Sequence, residues 1–284
     1  MNLATFEREH RSDWGLLEED RVIPVDEAIR MRFPTLAAAL RAGYLTNHDV
    51  RFGEHPLPLT DIRLCPPIPD PGKIICVGRN YGAHVAETGL KKPEFPSLFV
   101  RFADTLVASG APLVRPRIST QLDFEGECAV IVGKAGRHIA QQDALAHVFG
   151  YSIFNDASVR DVQLLQSLTA GKNFHRTGGF GPSIVTADEI EDYRALSLTT
   201  RLNGAVMQHG SLNDMIFNLE FLICYISRFT PISPGDVIVT GTPDGVGLAR
   251  KPPVWLVPGD VVTVEIPRIG ILVNPVVGEE VAGR

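Results

Sequence analysis

Two glutamates one residue apart are the first residues in this chain whose type and spacing suggest chemistry. They lie in Gln121-Leu122-Asp123-Phe124-Glu125-Gly126-Glu127-Cys128-Ala129-Val130-Ile131-Val132, a strand-like stretch that is otherwise largely apolar. Alternate side chains of a strand share a face, so Glu125 and Glu127 would stand side by side with no basic residue between them. Two ionised carboxylates held that close repel unless a cation separates them or one takes up a proton. A third acid, Asp156, closes the apolar run Tyr151-Ser152-Ile153-Phe154-Asn155-Asp156. Three carboxylates with no His or Cys nearby in sequence suit a hard divalent ion, Mg²⁺, Mn²⁺ or Ca²⁺, better than zinc. A Glu-x-Glu pair on the wet face of a surface strand reads the same way locally. The Val, Ile, Leu and Phe flanks argue for burial instead, and buried acids are rarely left unpaired.

Other polar groups occur in similar settings. In Gly78-Arg79-Asn80-Tyr81-Gly82-Ala83-His84-Val85-Ala86-Glu87, a helical turn after Tyr81 would bring His84 and Glu87 onto one face. A carboxylate against an imidazole fixes its tautomer and raises its basicity, as a general base requires; an exposed helix pair of no consequence has the same spacing. Arg160 and Gln163 fall one turn apart just after Asp156. Arg160 suits a clamp on a substrate carboxylate, or equally a salt bridge to Asp161 or another nearby acid. Lys172 precedes the glycine-rich Thr177-Gly178-Gly179-Phe180-Gly181-Pro182, which lacks the spacing of a phosphate-binding loop. Thr242, in Thr240-Gly241-Thr242-Pro243, follows a strand and would present a hydroxyl to an anion, although a plain turn looks much the same. The serines lack a nucleophile-elbow context, which disfavours a serine hydrolase.

The elements that must position these groups are mainly short strands. At 284 residues the chain has room for one large domain with a small one attached, and its 26 glycines and 21 prolines imply many turns and a β-rich fold. Strands are expected near Leu3 to Phe6 and Arg21 to Val25, and a helix over Thr35 to Ala42 that Gly43 stops. The proline-dense Cys65-Pro66-Pro67-Ile68-Pro69-Asp70-Pro71-Gly72 then divides residues 1–70, a small N-terminal domain, from residues 71–284. Beyond it, strands are expected over Lys73 to Val77, Ser97 to Arg101, Leu122 to Val132 and Gly150 to Phe154, with a short helical stretch at Asp143 to Val148. Asn203-Gly204 is a hairpin signal, and Asn218 to Phe229 has the spacing of an amphipathic helix. Two Pro-Gly-Asp turns, at Pro234 and Pro258, each launch a β-branched run.

A net charge of −6 with no basic block argues against nucleic acid as a partner, and no apolar run is long enough for a membrane span. The start lacks the pattern of an export signal. The four widely spaced cysteines read as reduced thiols of a cytoplasmic protein.

Taken together, the segments resemble the fumarylacetoacetate hydrolase family. The resemblance rests on Gly78-Arg79-Asn80-Tyr81 with His84 and Glu87, on Asp123-Phe124-Glu125-Gly126-Glu127, and on Asn155-Asp156-Ala157-Ser158-Val159-Arg160-Asp161-Val162-Gln163. Gly171-Lys172-Asn173-Phe174, Asn213-Asp214-Met215-Ile216-Phe217 and Thr240-Gly241-Thr242-Pro243 continue it in family order, over about residues 73–274. It implies an α+β, β-rich fold: a mixed β-sandwich roll with a small N-terminal α+β domain, assembled as a homodimer. It implies Mg²⁺ or Mn²⁺ on Glu125, Glu127 and Asp156, and a His84–Glu87 dyad on a mobile lid. Lys172 is implied to be catalytic, and Arg160, Gln163, Thr242 and Tyr81 to line the substrate site.

The implied activity is metal-dependent hydrolysis of a C–C bond in a 2,4-diketo acid. The substrate would be an acylpyruvate such as fumarylpyruvate or maleylpyruvate, releasing pyruvate in the breakdown of aromatic compounds. Decarboxylation, isomerisation or dehydration of a related 2-oxo acid is the nearest alternative, and a non-catalytic, metal-stabilised β protein is another. Two departures bear on the substrate more than on the metal. Asp123-Phe124 stands where some members carry histidines, and the segment from Gln163 to Lys172 is shorter than in some acylpyruvase-type members.

Overall fold

The strand Gly126–Val132 forms the middle of the molecule. It pairs antiparallel with Val148–Asp156, Gly126 opposite Asn155 and Glu127 opposite Phe154, and on its other edge with Val237–Val239. Ile74–Gly78 follows in parallel and Ser97–Val100 beyond it, while Gly178–Thr186 flanks Val148–Asp156. Both faces of this twelve-stranded sheet are covered, which is why its central strands read as continuous β-branched runs. The coordinates form a computed structural model that describes residues 1–47 and 50–280, so the last four residues of the span 71–284 lie outside the described residues.

The two faces have different partners. Cys128, Val130 and Val132 share a core with Leu198, Val264 and Leu272 of a second, five-stranded sheet, and with Leu222, Ile223 and Ile226 of the helix Leu219–Phe229. Ala129 and Ile131, on the opposite face, pack with Trp14, Leu36 and Leu40 of the N-terminal unit. Glu125 and Glu127 have the parity of Ala129 and Ile131. The acids therefore continue the face that the N-terminal unit covers, at the strand's starting end.

The N-terminal unit extends the same sheet: Asn2–Arg8 runs antiparallel to Gly178–Thr186, with Asn2 opposite Val185. The strand Arg11–Glu18 and the helix Glu27–Arg32, neither expected from sequence, complete this unit with the expected helix, observed as Leu36–Arg41. That helix starts at Thr35, whose side chain caps the Ala38 N–H at 3.0 Å, and gives way to Gly43 at φ +70°. The proline-dense segment follows Arg63–Leu64, which pairs with Asn2–Arg8, and leads into Ile74–Gly78. The hairpin at Asn203-Gly204 forms with both residues at positive φ, +50° and +84°, as a two-residue type I′ turn demands.

One expectation is corrected and another is made specific. The single strand over Leu122 to Val132 is two: Leu122–Asp123 pairs with Ser158–Val159 in a separate ribbon, and the main strand starts at Gly126. Side chains satisfy the backbone at the break, Asp123 accepting from the Phe124 N–H and Asn155 from the Glu125 N–H. The stretch Gln141–His147 is a 3₁₀ helix. No helix among the described residues is long and apolar enough to cross a membrane.

Candidate active site

Glu125 and Asp156 become neighbours because the Asp156 N–H donates to the Glu125 carbonyl at 2.8 Å across the two central strands. Glu127 follows one pleat on, and one oxygen from each of the three carboxylates lies within 4.8 Å of the others. All three are buried. The residue between the glutamates has to be glycine: a Cβ on Gly126 would lie 2.1 Å from Thr200 Oγ1 and 3.0 Å from Val264. The spacing Glu-Gly-Glu thus records close packing of the two sheets beneath the acids.

Three cations approach from three elements. Lys172, the last residue of the helix Leu168–Lys172, donates to Glu125 Oε2 at 2.5 Å, to Asp156 Oδ2 at 2.6 Å and to the Asp156 carbonyl at 3.1 Å. Those bonds engage all three ammonium hydrogens. Arg160, at the start of the helix Arg160–Leu165, lies 2.7 Å from Glu125 Oε1 and 2.8 Å from Asp123 Oδ2, and its Nη1 donates to Gln163 Oε1 at 3.0 Å. Its acids are thus Asp123 and Glu125, while Asp161 accepts from Ser119. Arg101, fully buried at the end of the edge strand, ion-pairs with Asp156 and donates to Thr177 Oγ1 at 2.7 Å. Asp123 completes the layer by accepting from the Gly247 and Leu248 N–H groups at 2.8 and 3.0 Å.

This leaves an uneven distribution of charge. Burial pushes the Glu125 carboxyl up, but Lys172 and Arg160 outweigh it and hold it down at about 2. Glu127 has no such partner among the described residues. Burial drives its carboxyl well above the usual range, Asp156 and Glu125 push it further, and Lys172 and the Gly241 N–H offset only part of this. A divalent cation against the three oxygens would relieve that load. The donor set, three carboxylates and neither His nor Cys, fits Mg²⁺ or Mn²⁺.

The dyad forms as the spacing predicts. In the helix Gly82–Glu87, His84 Nδ1 lies 2.8 Å from Glu87 Oε1, and Glu87 Oε2 accepts from the Gly245 N–H at 2.8 Å. An ionised carboxylate only accepts, so the neutral ring carries its proton on Nδ1 and leaves Nε2 as the lone-pair nitrogen. His84 lines the same cavity, of about 390 Å³, as Glu125, Glu127, Arg160 and Lys172. Gln163 and Thr242 line it too. The Thr242 hydroxyl is already engaged, donating to the Gly126 carbonyl and accepting from Gln208, each at 2.8 Å.

Tyr81 is elsewhere. It is buried in the hydrophobic core as the residue preceding the dyad helix and does not line this cavity, which corrects its expected place at the substrate. Its neighbour Asn80 has the structural part: its side chain donates to the Thr240 and Phe217 carbonyls and accepts from the Phe217 N–H. This clamp requires a glycine opposite, since a Cβ on Gly241 (φ +102°) would lie 2.7 Å from Asn80 Cβ.

Sequence reasoning did not find Arg101 or Gln208, and it gave Asp123 no role of its own beyond a place in a family-like segment where some members carry histidine. Arg101 had a faint signal, a base ending an apolar strand. Gln208 had none, being one polar residue on a half-exposed hairpin, yet it accepts from the Gly126 N–H at 3.0 Å and donates to Thr242 and Pro243.

Comparisons with known proteins give the family and the fold. Residues 73–277 match the family described as fumarylacetoacetate (FAA) hydrolase C-terminal. The mitochondrial oxaloacetate tautomerase of Xenopus laevis is 42% identical over 227 residues, 79% of this chain and 71% of that protein. The fumarylacetoacetate hydrolase of Exiguobacterium antarcticum superposes with a TM-score of 0.85 at 34% identity, over 98% of this chain and 100% of that one. The maleylpyruvate hydrolase of Sphingobium sp. SYK-6, solved with manganese(II) and pyruvate, shares the fold at a TM-score of 0.79 and 24% identity, over 99% and 100% of the two chains. The chain belongs to the fumarylacetoacetate hydrolase family. Glu125, Glu127 and Asp156 are the residues that would hold a divalent ion such as Mg²⁺ or Mn²⁺.

Proposed function

We propose that this chain moves a proton between C3 and the 2-oxygen of a 2-oxo acid, interconverting the keto and enol forms of an oxaloacetate-type substrate. One observation carries the reading: a histidine whose Nδ1 is fixed by Glu87 lines the cavity of a buried three-carboxylate cluster. A bound Mg²⁺ or Mn²⁺ would supply Lewis-acid polarisation of the 2-oxo group and so acidify the C3–H bond. His84 Nε2 takes the C3 proton, Glu87 steadies the imidazolium that forms, and the proton returns to oxygen to give the enol. In the opposite direction the same base takes the enol proton and returns it to carbon. Arg160 and Gln163 are placed to orient the acid end of the substrate. Lys172 holds Glu125 and Asp156 in register, and it serves the substrate directly only by releasing one of its three bonds. The name of the Xenopus laevis relative supports this reading over hydrolysis.

The second reading keeps the enolate and adds a water: C–C hydrolysis of an acylpyruvate, with His84 activating the nucleophile. It is favoured by the apolar flank that Leu90, Leu164 and Leu168 give the cavity, which would accept an acyl group. The homodimer implied by the family belongs to the proposal and is checked by light scattering.

The deciding assay supplies enol oxaloacetate and a panel of acylpyruvates to the Mn²⁺-loaded protein, following loss of enol absorbance and product acids separately. Tautomerisation that stops on adding a chelator, and in His84→Ala, supports the first reading. Release of pyruvate and a second acid supports hydrolysis. A protein that binds the ion yet converts none of these substrates would return the site to a purely structural role.

A further inference from the structure

Three cationic side chains line the cavity, Arg79, Arg160 and Lys172, and two are committed. Lys172 and Arg160 are bound to the carboxylate cluster and to Asp123. Arg79 is different: half-buried on the cavity wall, it makes no ion pair or side-chain hydrogen bond among the described residues. It also sits in backbone that non-glycine residues seldom adopt, at φ +58°. The turn is held from its far side, where Asn80 is bonded to Thr240 and Phe217. A strained position occupied by a long cation and fixed by its neighbour points to a function for the side chain.

Charge says what that function is. With all four carboxylates of the buried cluster ionised, as a bound ion requires, Asp123, Glu125, Glu127 and Asp156 stand against Lys172, Arg160 and Arg101, an excess of one negative charge. A divalent ion turns the excess positive, and the first carboxylate of a 2-oxo acid cancels it. A second carboxylate would then lie uncompensated against a wall that includes Leu90, Leu164 and Leu168, where an unpaired charge is costly. Arg79 is the cation left to meet it, and a guanidinium binds a carboxylate through two parallel N–H bonds.

We infer that Arg79 is a specificity-determining residue that receives a second, remote carboxylate, so that the substrates are dicarboxylic 2-oxo acids. The inference rests on the 2-oxo acid reading above and names the residue that would recognise the second carboxylate of an oxaloacetate-type substrate.

Binding to the Mn²⁺-loaded protein tests it without requiring turnover. The matched probes are 2-oxoglutarate and 2-oxopentanoate, which differ in a terminal carboxylate against a methyl group, with oxalate as a probe too short to reach beyond the ion. Wild-type protein should prefer 2-oxoglutarate by about 10- to 100-fold, the range of a charged hydrogen-bonded contact. Arg79→Met should reduce that preference to within about twofold and leave oxalate binding unchanged, while Arg79→Lys should retain part of it. Met is no worse than Arg in left-handed backbone, so the substitution adds no new strain. No preference in the wild type, a preference that survives in Arg79→Met, or an equal loss of oxalate binding would each overturn the inference, as would failure of the wild type to bind any of the three. If the preference is present and lost as expected but no 2-oxo acid is turned over, the proposed reaction fails while Arg79 keeps its role.

Discussion

Glu87 divides its two oxygens between His84 and the backbone of Gly245: Oε1 meets Nδ1 of the ring at 2.8 Å, and Oε2 takes the Gly245 N–H at 2.8 Å. The histidine is thereby tied to the segment that carries Gly241 and Thr242, whose groups touch Glu127 and the Gly126 carbonyl. Base and carboxylate cluster come from distant parts of the chain but share this one loop as a reference.

Glu87→Gln tests what that link does. A glutamine amide can donate to Nδ1, which would move the ring proton to Nε2 and remove the base while preserving its position. The expected outcome is a fall in kcat of about 10²–10⁴-fold, close to that of His84→Ala, with KM changed by little. Ion binding should be unaffected in both variants. Steady-state kinetics paired with Mn²⁺ titration checks this, and a Glu87→Gln protein of near wild-type kcat would show that the tautomer does not matter.

Lys172→Met separates charge balance from catalysis. Without the ammonium, Glu125 and Asp156 lose a shared partner in a fully buried setting. Breaking a buried pair from one side costs about 3–5 kcal/mol, so the ion-free variant should unfold at much lower denaturant. Mn²⁺ should restore stability to the variant more than it adds to the wild type. Denaturation curves with and without chelator measure this, and an equal deficit in both conditions would argue against a shared electrostatic role.

How much of this was legible beforehand depended on whether a residue's partner was local in sequence. The Glu125–Glu127 pair and the His84–Glu87 pair are spaced by the periods of strand and helix, and both are found as expected. Asp156 was readable because an acid closing an apolar run is conspicuous. Arg101 and Gln208 were not, since their partners lie 55 and 82 residues away and only the sheet order brings them together. Tyr81 was misplaced because a motif neighbour of a site residue need not face the site: its ring went to the core while Arg79, two residues earlier, reached the cavity. The break in the long strand escaped notice because side chains of Asp123 and Asn155, not a glycine or proline, satisfy the backbone there.

Ion binding should be coupled to protons. The Glu127 carboxyl is pushed well above its usual range in the ion-free protein by burial and by Asp156 and Glu125, and an ion requires it deprotonated. Because this pKa is raised in the folded state, the proton is held above the ordinary carboxylate range and is lost only as pH rises through the folded value. Apparent affinity for Mg²⁺ or Mn²⁺ should therefore increase with pH across that interval and level off above it. Binding below the plateau should release a proton, visible by calorimetry in buffers of different ionisation enthalpy. Glu125, held down at about 2 by Lys172 and Arg160, is already ionised across that interval and should contribute nothing to the release. Proton release that persists in Glu127→Gln would assign the coupling to another group.

Asp123→Asn is the most exacting test of the layer beneath the site. The carboxylate accepts from Arg160 at 2.8 Å and from the N–H groups of Phe124, Gly247 and Leu248 at 2.9, 2.8 and 3.0 Å. All of its partners are donors, so an amide placed there must turn its NH₂ toward either the guanidinium or the backbone N–H groups. Either choice leaves a donor against a donor, and the ion pair with Arg160 is lost as well. A cost of about 3–5 kcal/mol follows from one-sided loss of a buried pair, which for a chain of this size is a fall in Tm on the order of 10 °C. Arg160 would be left with Glu125 as its one carboxylate partner, so its grip on a substrate carboxylate should change too, appearing as a shifted KM in the protein that remains folded. A variant with wild-type Tm and KM would mean that solvent or a rearranged loop replaces the carboxylate, and that Asp123 does not position Arg160.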